Sequence, residues 1–199
     1  MLLEFDKIIQ KYNIKIKGIL HLGAHNCEEK PLYQKLNINN IIWVDANPFL
    51  NNKNIHNFVC SNTDIGKSTF YITNQSDSST IFQFNTHSKN YPNIHVNKII
   101  KVQNKTIDTF YQEQNIPDNY ANVLVLCIQG SELLALKGMN KTLKNFDVII
   151  TKVNNDYVYQ NCALIKEMDD LLKNNFSKKE IVWTNKDWGQ AFYKKIFIK

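Results

Sequence analysis

The residues best suited to do chemistry begin with Gly23 and Asp45, about 22 positions apart. A glycine at a strand-to-helix turn lets the backbone approach a ligand. An acid roughly 20 residues further on can accept two hydrogen bonds from a ribose diol. Gly23 closes the apolar run Ile19-Leu20-His21-Leu22, and Asp45 closes Ile41-Ile42-Trp43-Val44. Only one glycine of a three-glycine nucleotide fingerprint is present. Spacing alone therefore leaves a second reading open, an ordinary strand-helix-strand unit whose Asp45 merely caps a loop. His25 lies just past the turn. Imidazole titrates near neutral pH and is the commonest general base, although a turn histidine can equally be structural.

These groups need elements to position them. Between the two apolar runs, Leu32, Tyr33 and Leu36 fall on one helical face. Residues 3–12 read as a helix ahead of this unit. Further on, the pattern predicts a short helical turn over 48–53 and strands over 57–61, 68–73 and 94–103. A helix capped by Thr106 follows to Gln114. The most apolar run, Val123 to Ile128, reads as a central buried strand, with a helix from Glu132 to Leu143 capped by Ser131. A strand at 146–151, a helix at 162–173 and two closing strands at 180–184 and 191–198 complete the chain. Strands alternate with helices until that last pair. This predicts one α/β domain: a mostly parallel sheet with helices on both faces and an antiparallel C-terminal strand pair. Ligands of such sheets bind at the carboxyl ends of strands. The tips to watch are Gly23-Ala24-His25, Asp45, Ser61-Asn62, Cys127-Ile128-Gln129 and Lys152-Val153-Asn154.

Composition narrows the function. The chain has 199 residues and a formal charge of +6, and every basic residue is lysine. Lysine lacks the rigid fork with which arginine reads guanine or clamps phosphate, and these lysines are scattered, so no dedicated nucleic-acid site is expected. No apolar run is long enough for a membrane span. Acidic Glu4 and Asp6 sit where a signal peptide would be basic, so the expectation is a soluble cytoplasmic protein. Cys27, Cys60, Cys127 and Cys162 form no CxxC pair; free thiols are expected, and no metal site. Oligomeric state leaves no readable signal.

Several motifs, in order, resemble the FkbM-type methyltransferase family. They are His21-Leu22-Gly23-Ala24-His25 with Glu28, then IIWVDANP, Asp64-Ile65-Gly66, Ser78-Ser79, Thr106-Ile107-Asp108, LVLCIQGSELLALKGM and WTNKDWGQAFY. The resemblance runs from about Ile19 to Tyr193. It implies a single Rossmann-like class I methyltransferase domain with a seven-stranded sheet. It also implies S-adenosyl-L-methionine as methyl donor and an oxygen acceptor, often a sugar or glycan hydroxyl. Carried over by residue, the donor site comprises Gly23, Ala24, His25, Glu28, Asp45, Ala46 and Gln129. Ser61 and Asp64 are expected near the adenine.

Three positions depart from the family pattern: Cys127, Lys152 and Gln190 stand where carboxylates facing the cleft are usual. A thiol is a weaker proton acceptor, mostly protonated at neutral pH. An ammonium ~6 Å from a sulfonium, at an effective dielectric near ~20, would repel it by about 3 kcal/mol. A neutral, desolvated Lys152 could instead act as the base. Two readings follow: a methyltransferase with a substitute base among His25, Cys127 and Lys152, or a catalytically degenerate fold kept as a binding or scaffold module. A nucleotide-dependent oxidoreductase on a similar sheet fits the single glycine less well. The segment 74–93 is expected to shape the acceptor pocket, with Phe82, Phe84 and Tyr91 available to stack on a sugar or to pack in the core.

Overall fold

A computed structural model describes residues 1–196. In chain order the strands are β1 (Ile19–Leu22), β2 (Ile41–Asp45), β3 (Ile55–Asn57), β4 (Val59–Cys60) and β5 (Lys67–Thr73). They continue with β6 (Val96–Lys105), β7 (Val123–Leu126), β8 (Val148–Asn154), β9 (Phe176–Trp183) and β10 (Trp188–Lys195). The helices are α1 (Phe5–Lys11), α2 (Lys30–Lys35), α3 (His87–Asn90), α4 (Ile107–Glu113), α5 (Glu132–Lys137) and α6 (Ile165–Leu172).

Seven strands form the main sheet in the order β3-β2-β1-β7-β8-β10-β9. β1, β2, β3, β7 and β8 run parallel, and β10 is antiparallel to both β8 and β9. β1 and β7 are buried throughout, as strands covered on both faces must be. One face packs Leu20, Leu124, Ile149 and Tyr193 with Phe110, Leu136 and Met168 of α4, α5 and α6. The other packs Ile19, Val125 and Ile150 with Phe5 and Ile8 of α1 and Tyr33 of α2. Strand order reverses between β1 and β7, so the crevice for a ligand opens at their carboxyl ends.

The expected architecture holds, with local differences that have physical causes. The predicted strand over 57–61 divides at Phe58, whose ring packs on Phe110 at a centroid distance of 5.0 Å. Before it β3 edges the main sheet; after it β4 pairs with β6, and β5 completes a separate three-stranded sheet. No helix forms at 48–53, where Asn47 and Asn52 side chains instead hold turns by accepting from Phe49 N and Asn54 N. The helix expected to reach Leu143 stops at Lys137, because Gly138 packs against the Ser61 carbonyl, which a Cβ would meet at 2.0 Å. Ser131 does not cap it. The Glu132 carboxylate accepts from Ile128 N at 3.0 Å and Gly130 N at 2.9 Å instead. Thr106 does cap α4, accepting from Thr109 N at 3.1 Å. β10 starts at Trp188, earlier than expected, and positions 197–198 of the predicted closing strand lie outside the described residues. Among the described residues no helix is long and apolar enough to cross a membrane.

Candidate functional site

A cavity of about 470 Å³ opens over the tips of β1, β2 and β7, within the usual range for small-molecule sites. Its floor is made by turns that the sequence forces. Gly23 has φ +85°, and a Cβ there would sit 2.1 Å from the Cys127 carbonyl oxygen. Only glycine lets the β1 and β7 tips meet this closely. The turn then hydrogen-bonds across to β2, with Gly23 N and Ala24 N both donating to the Val44 carbonyl.

One end of the cavity is acidic, lined by Glu28, Glu29 and Asp45. Asp45 Oδ2 accepts from His25 N at 2.9 Å, and Oδ1 accepts from Asn47 N at 2.8 Å. Burial pushes the Asp45 pKa up, and these two backbone bonds work against that rise. Each oxygen has made one bond, so lone pairs remain for two hydroxyls. The His25 ring is committed on both sides. Nδ1 lies 2.5 Å from Glu28 Oε1 and Nε2 lies 2.7 Å from Ser76 Oγ. A carboxylate only accepts, so Nδ1 donates to Glu28, and Nε2 is occupied by the Ser76 hydroxyl. Partial burial disfavours the Glu28 carboxylate, yet backbone hydrogen bonds and the His25 contact outweigh it and hold its pKa below the usual value. Val44, Phe58, Val59, Phe70 and Ile81 add an apolar wall.

The other end is cationic. Lys152 is 6% exposed and is the one lysine among the described lining residues. Its ammonium donates to Gln129 Oε1, which also accepts from the Tyr159 hydroxyl at 2.7 Å. The nitrogen lies 4.7 Å from the Trp188 ring centroid and 5.4 Å from that of Tyr159. Gln129, at φ +53°, is a hub. Its Nε2 donates to the Asp77 carbonyl at 2.7 Å and its own carbonyl accepts from Thr80 Oγ1 at 2.7 Å. Burial pushes the Lys152 pKa down, with Cys127 and Glu132 opposing. Burial also pushes the Cys127 thiol up to about 11, so at neutral pH it is uncharged and accepts no proton from a hydroxyl. His87, 2% exposed, stacks on Tyr159 at 5.2 Å and Phe84 at 4.3 Å. Its Nδ1 has no hydrogen-bond partner, and burial with the nearby Lys152 charge lowers its pKa to about 4.

The structure thus gathers Gly23, His25, Glu28, Asp45, Ala46, Cys127, Gln129 and Lys152 around one cavity, with Gln129, expected in the donor site, at the cationic end. Three expected site residues lie elsewhere. Ala24 is buried against the α1–α2 face. Ser61 turns its carbonyl toward Gly138. Asp64 spends its carboxylate on the start of α4, accepting from Thr106 N at 2.7 Å, Thr106 Oγ1 at 3.2 Å and Thr109 Oγ1 at 2.8 Å. Gln190, expected to face the cleft, does not line it; its Oε1 accepts from Leu2 N and Leu3 N, both at 2.9 Å. Of the three loop aromatics, Tyr91 lines the cavity, whereas Phe82 and Phe84 pack on Val158, Tyr159 and Cys162. Sequence reasoning missed Glu29, Tyr159 and Trp188 as lining residues, and reached Ser76, Asp77 and His87 only as part of the segment 74–93.

Residues 17–178 match the family model described as the methyltransferase FkbM domain. The chain belongs to that family. No curated protein and no solved structure matches it. In an FkbM domain a methyl donor is implied, and the acidic end fits a cationic nucleoside. Asp45 keeps free lone pairs for a diol, the Glu28 and Glu29 carboxylates complement positive charge, and the apolar wall suits a flat base. Within this FkbM domain, then, Cys127 and Lys152 belong to the cavity, whereas Gln190 is a structural tie.

Proposed function

We propose that the protein is an S-adenosyl-L-methionine-dependent O-methyltransferase acting on a hydroxyl of a sugar or glycan. The observation that carries this reading is the Asp45 carboxylate at the β2 tip, with each oxygen holding one backbone N–H and open to one more donor. Asp45 holds the ribose diol, Ala46 and Val44 border the base, and Glu28 and Glu29 balance the cationic part of the donor. When bound, that donor supplies an activated methyl group. The chain's own task is to hold the acceptor oxygen in line and to take its proton.

The groups nominated by the sequence for that proton do not suit the task. His25 is held at both ring nitrogens, Cys127 is a protonated thiol, and Lys152 is engaged as a donor. His87, on the cavity wall, is uncharged at neutral pH, but its unpartnered Nδ1 is buried, and burial with the Lys152 charge opposes its protonation, so it does not suit the task either. Tyr91, Tyr159 and Trp188 keep that end poor in water.

Calorimetry with S-adenosylmethionine and S-adenosylhomocysteine tests the reading. Both should bind, and Asp45→Ala should weaken S-adenosylhomocysteine about 100-fold, the equivalent of losing charge-assisted bonds to two hydroxyls. Absence of binding to either nucleoside, or an Asp45→Ala variant that binds normally, overturns the donor site.

A further inference from the structure

The cavity is electrically polarised, and its two ends need different partners. Acids line the β1–β2 end, while the β8 end presents a buried ammonium. Among the described residues Lys152 makes no ion pair with any carboxylate. Two carboxylates, Glu132 and Asp77, act on it through space without pairing with it. Burial holds the Cys127 and Cys162 thiols protonated. Glu132 already accepts two backbone N–H groups. Asp77 contributes its carbonyl to Gln129 and its carboxylate to the Ser78 hydroxyl. His87 is uncharged, and the Tyr159 hydroxyl donates to Gln129. A buried cation whose direct contacts are one amide and two ring faces, with no carboxylate in ion-pair reach, is incompletely compensated, so an incoming anion is attracted to it.

We propose that Lys152 is an anchoring residue for an acceptor that carries a carboxylate on a ring. This rests on the methyl-transfer reading and narrows it: the acceptor sugar is an acidic one. A ring fits because Tyr91, Tyr159 and Trp188 stand beside the ammonium, with Trp188 Nε1 donating to the Tyr91 hydroxyl at 2.8 Å. Such faces cover the apolar side of a pyranose while the lysine takes its charge. A single carboxylate fits better than a phosphate. One lysine stands on the wall, and a phosphate dianion calls for several donors or a guanidinium fork. The anion also solves the problem of two like charges in one cavity. A carboxylate on Lys152 cancels the repulsion that the ammonium would exert on a cationic donor.

Calorimetry with D-glucuronate and benzoate against their methyl esters tests this directly on the unmodified protein. Each acid should bind about 10-fold or more tightly than its ester, as expected for one charge-assisted hydrogen bond in a buried site. Lys152→Gln should remove that preference while S-adenosylhomocysteine affinity stays within twofold, which also reports that the variant is folded. Equal binding of acids and esters by the wild-type protein overturns the proposal, as does an unchanged preference in Lys152→Gln. If the acids bind through Lys152 and neither nucleoside binds, the anchor stands and the methyl-transfer reading fails. If the nucleosides bind and no acid is preferred, the reverse holds.

Discussion

The two ends of the cavity are built in contrasting ways. The acidic groups come from one continuous piece of chain, β1 through β2, with short-range contacts such as His25 to Glu28 or Asp45 to Asn47 and a distant tie from His25 to Ser76. The cationic end is assembled from Asp77, Thr80, His87, Gln129, Lys152, Tyr159 and Trp188, held together through the Gln129 amide. A local unit is fixed as soon as its strands pair. A composite one exists only when distant segments have all arrived, and it can change one side chain at a time without disturbing the sheet.

The contrast can be broken or sharpened in three ways. The largest effect is expected beneath the acidic end. His21 on β1 is buried between Tyr33 and Trp43, and burial lowers its pKa to about 4. The folded state therefore takes up a proton later than the unfolded chain, whose histidine titrates near ~6.5. Stability from this group is complete above the unfolded value and falls as the pH drops from about 6.5 to about 4, by on the order of 3 kcal/mol. Urea unfolding at pH 7 and pH 5 should show the drop, and His21→Phe should remove this group's share of it, leaving the share of His87, whose pKa is also lowered to about 4. An equally steep profile in that variant would place the acid-sensitive group elsewhere.

A middle-sized effect is expected at the hub. Gln129→Leu strands the Lys152 ammonium and the Tyr159 hydroxyl without their shared acceptor, and should destabilise by about 2 kcal/mol. Because none of the acidic groups bonds to Gln129, S-adenosylhomocysteine affinity should change less than twofold in the same variant. A parallel loss of nucleoside binding would show that the two ends are one cooperative unit and would break the comparison. The smallest effect belongs to Gln190, outside the cavity. Gln190→Ala frees Leu2 N and Leu3 N and should lower the melting point by a few degrees, for about 1 kcal/mol, with no change in ligand binding. A change in acceptor preference in that variant would return Gln190 to the cleft.

Much of this division was visible in the residues themselves. Gly23, Asp45 and the strands between which they sit follow from apolar runs and a turn, which are local signals. The crevice between β1 and β7 follows from the parallel order. What escaped was long-range. Asp64 looked like a cavity residue because it follows a strand, but its carboxylate reaches Thr106 and Thr109, some forty positions on. Gln190 pairs with Lys152 in the β10–β8 register and shares its face, yet its amide turns to the N-terminal segment. His87 and Tyr159 carry no motif; a backbone bond from His87 N to the Val158 carbonyl and the stacking of their rings bring them together. The second sheet was hidden for a similar reason, since β5 and β6 read as strands whichever sheet they join.

The missing side chain at position 23 sets a rule for anyone redesigning this pocket. With the Cys127 carbonyl pressed into the space a methyl group would need, the central seam has no slack to give. Room for a bulkier guest must be found in the peripheral loops around 75–91 and 157–162, which reach Gln129 through Asp77, Thr80 and Tyr159 and can be recut there without prying the sheet open.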